Sequence, residues 1–157
     1  MPGMDDQRPG FALPLLLLAA FHALVDELHE RLVAVGHPDA RPAHGFALQA
    51  IGPVGVTTSE LGRRLGVTKQ AAAKTVAALE RLGYVATGPA PADGRAHLVR
   101  RTARGEELLA LSAEIFAALR AEWAARLGER RMAQIEDDLD RIGGGRRLSS
   151  GGQMPAW

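Results

Sequence analysis

The chain lacks cysteine entirely, and it has few aromatic residues and only two lysines among its 19 basic residues. Without cysteine it cannot form a disulfide, a thiolate zinc site or a thiol redox switch. Aromatic residues make up 4% of the sequence, whereas alanine and leucine are abundant. This composition favours helices over a sandwich of β-sheets. The chain has 157 residues, of which 46% are hydrophobic. This is enough to form the core of one domain, with or without extensions.

The net charge of +1 predicts no partner, but the charges are unevenly distributed. Residues 57–105 carry nine basic and three acidic residues, a formal charge of +6, and the remainder carries ten basic and fifteen acidic residues, or −5. A basic middle between acidic flanks is typical of a nucleic-acid-binding protein. An unevenly charged solvated surface has the same composition, so charge alone favours DNA only modestly.

The segment "FALPLLLLAAF" at residues 11–21 is apolar enough for the core of a secretory signal. The preceding residues include Asp5 and Asp6 and have no basic excess, and His22 and Asp26 interrupt the run. We therefore expect the run to be shorter than a membrane span.

Farther along, apolar residues recur at helical spacing and predict a long amphipathic helix over about residues 13–35. Its stripe must be covered by the rest of the fold or by a second chain. The stripe consists of Leu17, Phe21, Leu24, Leu28, Leu32 and Val35.

Two short helices are predicted over residues 58–65 and 69–82. Thr57, with Glu60 three positions later, fits a capping box. Gly66 ends the first helix and Thr68 can cap the second. This is the layout of a helix-turn-helix, although a plain helical hairpin has the same pattern.

The second of these helices, which contains "VTKQAAAKTV", has two different faces. Its outward row has polar side chains separated by methyl groups, so the helix can approach the base edges of a major groove closely. A solvated face built from good helix formers is the alternative. The packing row is Ala72, Val76, Leu79 and Gly83, and the outward row is Gln70, Lys74, Ala78 and Arg81.

A β-hairpin is predicted directly after this helix, with strands "YVATG" and "AHLVRR" and the turn "PAPADGR". Such a hairpin is the wing of a winged helix. Arg95 near its tip can enter a narrow minor groove, where the negative potential is enhanced. Alternatively, Arg95 is a surface residue paired with Asp93, which would contribute little.

Helices complete the chain on both sides of this unit. Gly36 and the prolines after it separate the first helix from a short one over residues 43–51. Thr102 caps a long helix that reaches residue 127, and a last helix covers residues 132–142. The Gly/Ser-rich end is expected to be a flexible tail.

The order of these elements and the motifs "LGVTKQAAAKTVAALERLGYV" and "PADGRAHLVRRTARGEELL" strongly resemble the MarR family of winged helix-turn-helix regulators, over about residues 19–142. The resemblance implies a mainly α fold with a small β-hairpin wing, in which the first and last helices form a dimerisation region. The implied organisation is a flexible N-terminus (1–12), a dimerisation helix and short second helix (13–52), a DNA-binding lobe (53–101), C-terminal dimerisation helices (102–142) and a tail (143–157).

The resemblance also implies roles for individual residues. Thr68 matches the cap of the recognition helix, Asp93 the acid that orients the wing arginine, and Arg95 the minor-groove arginine. Two positions depart from the family: Ala86, Thr87 and Gly88 stand where arginine is frequent, and Arg101 stands where leucine is frequent, so that Arg101 can supply a DNA backbone contact. The residues implied to bind DNA are Thr68, Lys69, Gln70, Ala71, Lys74, Thr75, Asp93 and Arg95, together with Arg63 and Arg64 on the preceding helix.

The resemblance implies a homodimeric repressor in the cytoplasm that binds double-stranded DNA at an inverted repeat. A small-molecule effector would release it, and no cofactor, metal or membrane is required. The candidate ligand contacts are His22, His44, Phe46 and Trp123.

Other functions remain open. A helical protein-interaction module would also need the long apolar stripes. His22, Asp26 and His29 lie at i, i+4 and i+7 and can seed a metal site, although a polar pocket rim or dimer seam is the preferred interpretation. The histidines are scattered and accompany no nucleophile or carboxylate motif, so we expect no enzymatic activity.

Overall fold

The structure is a computed structural model that describes residues 8–92 and 94–143. Within these residues it consists of six helices and one antiparallel β-hairpin. The elements are α1 (Ala12–Ala34), α2 (Pro42–Ile51), α3 (Thr58–Leu65), α4 (Lys69–Arg81), β1 (Val85–Pro89), β2 (His97–Arg101), α5 (Ala103–Leu127) and α6 (Glu129–Ile142). The mainly α fold with a β-hairpin is thus confirmed, and all predicted boundaries but one agree with these to within one residue. The sequence prediction started α6 three residues late.

Threonines begin three of the helices. Thr57, Thr68 and Thr102 each accept a hydrogen bond from the backbone N–H three residues later, at 3.1–3.2 Å. These bonds satisfy N–H groups that have no partner within the helix. The predicted caps of α3, α4 and α5 are therefore present.

The full capping box predicted for α3 does not form. The Glu60 carboxylate accepts a hydrogen bond from Arg64 Nε at 3.0 Å and also contacts the Arg63 guanidinium. In the bonds to arginine both partners are charged, whereas the Thr57 backbone N–H is a neutral donor. The same contacts, chiefly the one with Arg64, lower the pKa of Glu60.

The core surrounds α2. Leu48 and Ile51 on α2 are completely or almost completely buried, as are Leu61 on α3 and Leu79 on α4. The hairpin joins the same core through Val99, whose N–H and C=O both bond to Val56 at 2.8 and 3.1 Å. One cluster of apolar side chains therefore holds α2, α3, α4 and the hairpin together.

The end of α4 is joined tightly to the start of α5. A Cβ on Gly105 would lie 2.2 Å from the carbonyl oxygen of Tyr84, so this position accepts only glycine without a backbone shift. The Thr102 N–H donates to the same oxygen at 3.0 Å, and its hydroxyl donates to the Gly83 carbonyl at 2.5 Å. Thr102 and Gly105 thus fix α5 against the residues that follow α4.

The first helix has the predicted length, and its first half is exposed. Leu28 and Leu32 are buried, but the leucines of the first half are about half exposed. With 23 residues and a mean hydropathy of 1.4 over an 18-residue window, α1 is long and apolar enough to cross a membrane. This result rests on length and composition alone, and the core helix of a soluble protein meets the same criteria, so the expectation that the apolar run is shorter than a membrane span stays a prediction.

Candidate nucleic-acid interface

Helix α4 packs with one face and exposes the other, as its sequence predicts. Ala72 and Leu79 are fully buried, and Val76 is 7% exposed. On the opposite side, the side chains of Lys69, Gln70, Ala73, Lys74 and Ala77 are exposed. The exposed face therefore presents three long polar side chains and two methyl groups.

Two predicted contact residues lie at the edge of this face. Ala71 and Thr75 are half-buried, and the Thr75 hydroxyl donates to the Ala71 carbonyl at 3.2 Å. Thr68 is exposed at the N-terminus of α4, and the first turn contains no acidic residue. The positive end of the helix dipole and Lys69 therefore lie together, which favours a negatively charged partner.

The turn between α3 and α4 sets the angle of α4. Gly66 adopts a left-handed conformation with φ of +67°, which glycine tolerates without strain. The N–H of Val67 then donates to the carbonyl of Gly62 at 2.9 Å. The predicted glycine turn is thus present, and it presents α4 from the surface of the lobe.

The hairpin holds Arg95 beyond its paired strands. Val85 pairs with Arg101 and Pro89 with His97, and the Ala90 N–H continues the ladder to the Ala96 carbonyl at 2.8 Å. Arg95 follows in the exposed turn. Asp93, predicted to orient it, lies outside the described residues.

Three basic residues of the middle segment contact other parts of the same subunit, although Arg104 itself is exposed. Arg64 Nη1 donates to the Ala50 carbonyl at 2.8 Å, and Arg101 Nε donates to the Leu48 carbonyl at 2.7 Å. Arg104 lies over the Tyr84 ring at 5.2 Å from its centroid. The Arg101 side chain is 11% exposed, so this departure from the family pattern joins the hairpin to α2.

The other basic residues of this segment remain on the lobe surface. Arg63 has an 80% exposed side chain and contacts Glu60. Arg100 is half-buried, and the rest are exposed. The residues besides Arg63 are Lys69, Lys74, Arg81, Arg95 and Arg100.

A cavity of about 480 Å³ lies between α1, α2 and α5. Of the predicted ligand contacts, only Phe46 lines it. His44 instead accepts a hydrogen bond from the Arg41 N–H at 3.1 Å, and burial together with the Arg41 charge lowers the pKa of His44. His22 packs near the Phe21 ring, and Trp123 lies farther along α5.

The cavity lining also includes His29 and Arg41, which sequence reasoning had not assigned to it. Both ring nitrogens of His29 are engaged, one with the Ala40 carbonyl at 3.0 Å and the other with Arg41 Nη1 at 3.2 Å. Within residues 8–92 and 94–143, no three histidine or acidic side chains are grouped closely enough to hold a metal ion.

A model of the MarR family matches residues 41–96. Over this segment the sequence is similar to the MarR family. The MarR segment contains α2, α3, α4, β1 and the turn that carries Arg95. The resemblance predicted from the sequence motifs is thereby confirmed.

Solved structures of MarR-type regulators share the fold. FabT of Streptococcus pneumoniae, solved in complex with DNA, has a TM-score of 0.72 at 19% identity, covering 87% of this chain and 96% of FabT. PcaV of Streptomyces coelicolor, in complex with its natural ligand, has a TM-score of 0.62 at 21% identity. The match covers 94% of this chain and 100% of PcaV. The transcriptional regulator Tm0710 of Thermotoga maritima has a TM-score of 0.56 at 29% identity. The match covers 85% of this chain and 92% of Tm0710. A comparison with curated proteins finds no match.

Proposed function

We propose that this protein is a homodimeric transcriptional repressor that binds an inverted-repeat operator in double-stranded DNA. Each subunit would insert α4 into a major groove and the turn carrying Arg95 into the flanking minor groove. The observation that carries this proposal is the exposed face of α4, where both lysines of the chain and Gln70 stand among alanines. The DNA complex of FabT, which has the same fold, supports it.

The side chains of α4 suit base recognition. A major groove about 12 Å wide admits one helix. The polar side chains can reach the base edges only if the side chains between them are small, and Ala73 and Ala77 meet this condition. Gln70 can pair with adenine through two hydrogen bonds, and Lys74 can donate to guanine or to phosphate.

The dimer would cover the apolar surface that one subunit leaves exposed. Exposed large apolar residues cluster on the first half of α1 and on α6. A water-soluble monomer rarely exposes a continuous apolar surface of this kind. The residues are Leu13, Leu15, Leu16, Leu17 and Leu18 on α1, and Ile135, Leu139 and Ile142 on α6. Two-fold symmetry then places the half-sites about one turn, roughly 10 bp, apart.

The cavity is placed to couple a ligand to DNA binding. One face of α2 lines it from Pro42 to Gln49, and carbonyls near the C-terminal end of the helix accept hydrogen bonds from Arg64 of α3 and Arg101 of β2. A ligand that displaces α2 relative to α1 and α5 would therefore move the DNA-binding lobe. The ligand complex of PcaV is consistent with an effector in this fold.

Fluorescence anisotropy with duplex DNA from upstream of the protein's own gene tests the proposal, with a scrambled duplex as reference and a salt series for each. We expect specific binding with two subunits per site. Arg95→Ala should weaken binding about tenfold, because one charged contact is lost. It should also reduce the log–log salt slope by about 0.9. Arg126→Ala, an exposed arginine at the end of α5, is the matched control.

Unchanged affinity and slope for Arg95→Ala would remove the hairpin from the interface. Equal, salt-sensitive binding to both duplexes would indicate a general DNA-binding protein. A monomeric chain that binds neither duplex would instead support a protein-interaction module.

A further inference from the structure

We propose that the hydrogen bond between Glu80 of α4 and Thr87 of β1 sets the angle of the hairpin relative to α4, and so positions Arg95 for the minor groove while α4 occupies the major groove. The inference rests on the proposed DNA-binding function. It assigns a positioning role to two residues that lie outside the candidate DNA contacts.

The bond joins exposed side chains of two different elements. Glu80 lies in the last turn of α4 and Thr87 in the middle of β1. The Thr87 hydroxyl donates to Glu80 Oε1 at 2.6 Å, within the range of about 2.5–2.7 Å that is usual for a hydroxyl bonded to a carboxylate. Such charge-assisted bonds are about twice as strong as bonds between neutral groups.

Among the described residues of the hairpin, burial is confined to the base. Val85 and Val99 are buried, whereas the described residues between positions 88 and 97 are half-buried or exposed. A two-stranded hairpin is only marginally stable by itself. The direction of its outer half therefore depends on the contacts that its base makes with the rest of the lobe.

Contacts near the base hold the hairpin from both edges. On the β2 edge, Val99 and Val56 exchange backbone hydrogen bonds at 2.8 and 3.1 Å. On β1, Thr87 is the cross-strand partner of Val99, so both side chains lie on the face turned to the core. Thr87 reaches Glu80 on this face. With the Val56 contact alone the hairpin could rotate about the β2 edge, and the Glu80–Thr87 bond restricts this rotation.

A small rotation of the hairpin displaces Arg95 by a larger distance at the turn. The ladder continues from Thr87 to the bond between Ala90 and Ala96, and Arg95 follows in the turn. With a rise of about 3.3 Å per residue, the turn lies about 10 Å beyond Thr87. A rotation of about 15° at Thr87 would thus move the turn by about 3 Å, which is enough to break a hydrogen bond.

The same bond contributes little to folding. Both groups are exposed, and in the unfolded chain water replaces each of them as a partner for the other. Loss of the Glu80–Thr87 bond should therefore affect DNA binding more than stability. This difference separates a positioning role from a purely structural one.

Fluorescence anisotropy with operator DNA tests the proposal with Thr87→Val, which removes the hydroxyl and keeps a β-branched side chain in the strand. The variant should bind about fivefold more weakly and with a shallower salt dependence, because Arg95 loses part of its contact. Thr87→Ser keeps a donor hydroxyl and should retain most of the affinity. Thermal melts should change little. If Thr87→Val does not fold, Thr87→Ala removes the same hydroxyl and should give the same loss.

Two double-mutant cycles show whether the bond acts through Arg95. In an Arg95→Ala background, Thr87→Val should cause no further loss, because the contact that the bond positions is already absent. In a Gln70→Ala background, the same change should again weaken binding about fivefold, because Gln70 would contact the major groove independently of the hairpin. The second cycle is the matched control for the first.

Distance measurements without DNA test the angle itself. The chain contains no cysteine, so cysteines introduced at Ala77 of α4 and Ala92 near the turn would carry the only spin labels. Double electron–electron resonance on labelled chains diluted with unlabelled protein reports distances within one subunit. The distance distribution should be narrow with Thr87 or Thr87→Ser and broader with Thr87→Val.

The outcomes separate this inference from the repressor proposal. If Arg95→Ala weakens operator binding but Thr87→Val does not, the positioning role is refuted and the repressor proposal stands. A loss from Thr87→Val that persists in the Arg95→Ala background would also refute it, as would equal distance distributions with and without the hydroxyl. If the protein binds no operator, or Arg95→Ala has no effect, the role in DNA binding fails together with the proposed hairpin contact.

Discussion

Helix α4 and the first half of α1 both expose a face to solvent, but the two faces have opposite chemistry. On α4 the exposed side chains are Lys69, Gln70 and Lys74 among alanines. On α1 they are leucines that are 46–62% exposed. The opposite face of each helix packs in the core of the subunit. The chemical difference between the two exposed faces therefore concerns the partner that each face contacts outside the subunit.

A face of polar side chains and alanines can stay solvated until a polar partner binds. A surface of adjacent leucines is instead stable only when another apolar surface packs against it permanently. The exposed side of α4 thus fits a ligand that binds and leaves, such as DNA. That of α1 fits a constitutive dimer. The predictions below test each face and two contacts that connect α4 with the rest of the subunit.

Changing α1 should have the largest effect. Leu17→Asp places a charge on a surface that we expect to be buried between subunits, and the dimer dissociation constant should rise about a hundredfold, equivalent to about 3 kcal/mol. Analytical ultracentrifugation measures it. Val54→Asp is the control, because Val54 is 78% exposed and lies outside the terminal helices.

The same variant distinguishes a dimer from a membrane helix. If α1 inserts into a bilayer, Leu17→Asp should leave the assembly state unchanged and reduce flotation with lipid vesicles. That result would contradict the dimer.

A substitution at Gly105 should weaken the contact between the end of α4 and the start of α5. Gly105→Ala forces a methyl group against the Tyr84 carbonyl, so the free energy of unfolding should fall by about 1–3 kcal/mol. Gly45→Ala is the matched change in another helix, where a Cβ would meet nothing within 4 Å. It should raise stability by about 0.5–1 kcal/mol. Urea unfolding followed by circular dichroism compares the two, and equal effects would refute the close contact.

On α4, Gln70→Ala removes one candidate base contact. Discrimination at one base pair of each half-site should fall by about 1 kcal/mol, or about fivefold, while binding to other positions is retained. A binding-site selection profile measures this, with Gln134→Ala on α6 as the control. An unaltered profile would mean that Gln70 is only solvated surface.

The smallest effect should come from His37, which joins the loop after α1 to the end of α4. His37 is 1% exposed, and its Nδ1 lies 2.9 Å from the Tyr84 hydroxyl. Burial and the charge of Arg104 lower its pKa, and Glu107 at 3.7 Å opposes them only in part.

A histidine with a lowered folded-state pKa binds its proton more readily in the unfolded chain. Stability is therefore full above the ordinary pKa of 6.5 and decreases as the pH falls below it. Thermal melts between pH 5 and 8 should show this loss, and His37→Gln should reduce it. An identical pH dependence in both proteins would assign the loss to other groups.

Much of the fold was predictable because its signals are local. The threonine caps at 57, 68 and 102 each act over three residues, and the glycine at 66 acts within one turn. The helical period of α4 correctly placed Ala72, Val76 and Leu79 in the core, but Gly83 of the predicted packing row is exposed and Ala78 of the predicted outward row is half-buried. The same local logic failed at Glu60, where an arginine one turn away competed for the carboxylate.

The candidate DNA contacts and the cavity were less accessible to sequence reasoning. Arg63 and Arg64 are neighbours in the sequence, yet one is exposed and the other bonds to the Ala50 carbonyl. Phe46 was placed in the cavity, whereas Arg41 was not recognised, because its contact with His29 joins the start of α2 to α1.

By itself, the sequence determined the order of the helices and most of their ends, the glycine turn, the hairpin and the two faces of α4, since these depend on hydrogen bonds and periodicities within a few residues. Only the tertiary structure decided which arginines stay on the surface and which hold α2, and where a cavity opens beside Arg41. Those outcomes depend on the packing of segments that lie far apart in the sequence; Arg101 and Leu48, which bond to each other, are separated by 53 residues. No local pattern encodes such a contact.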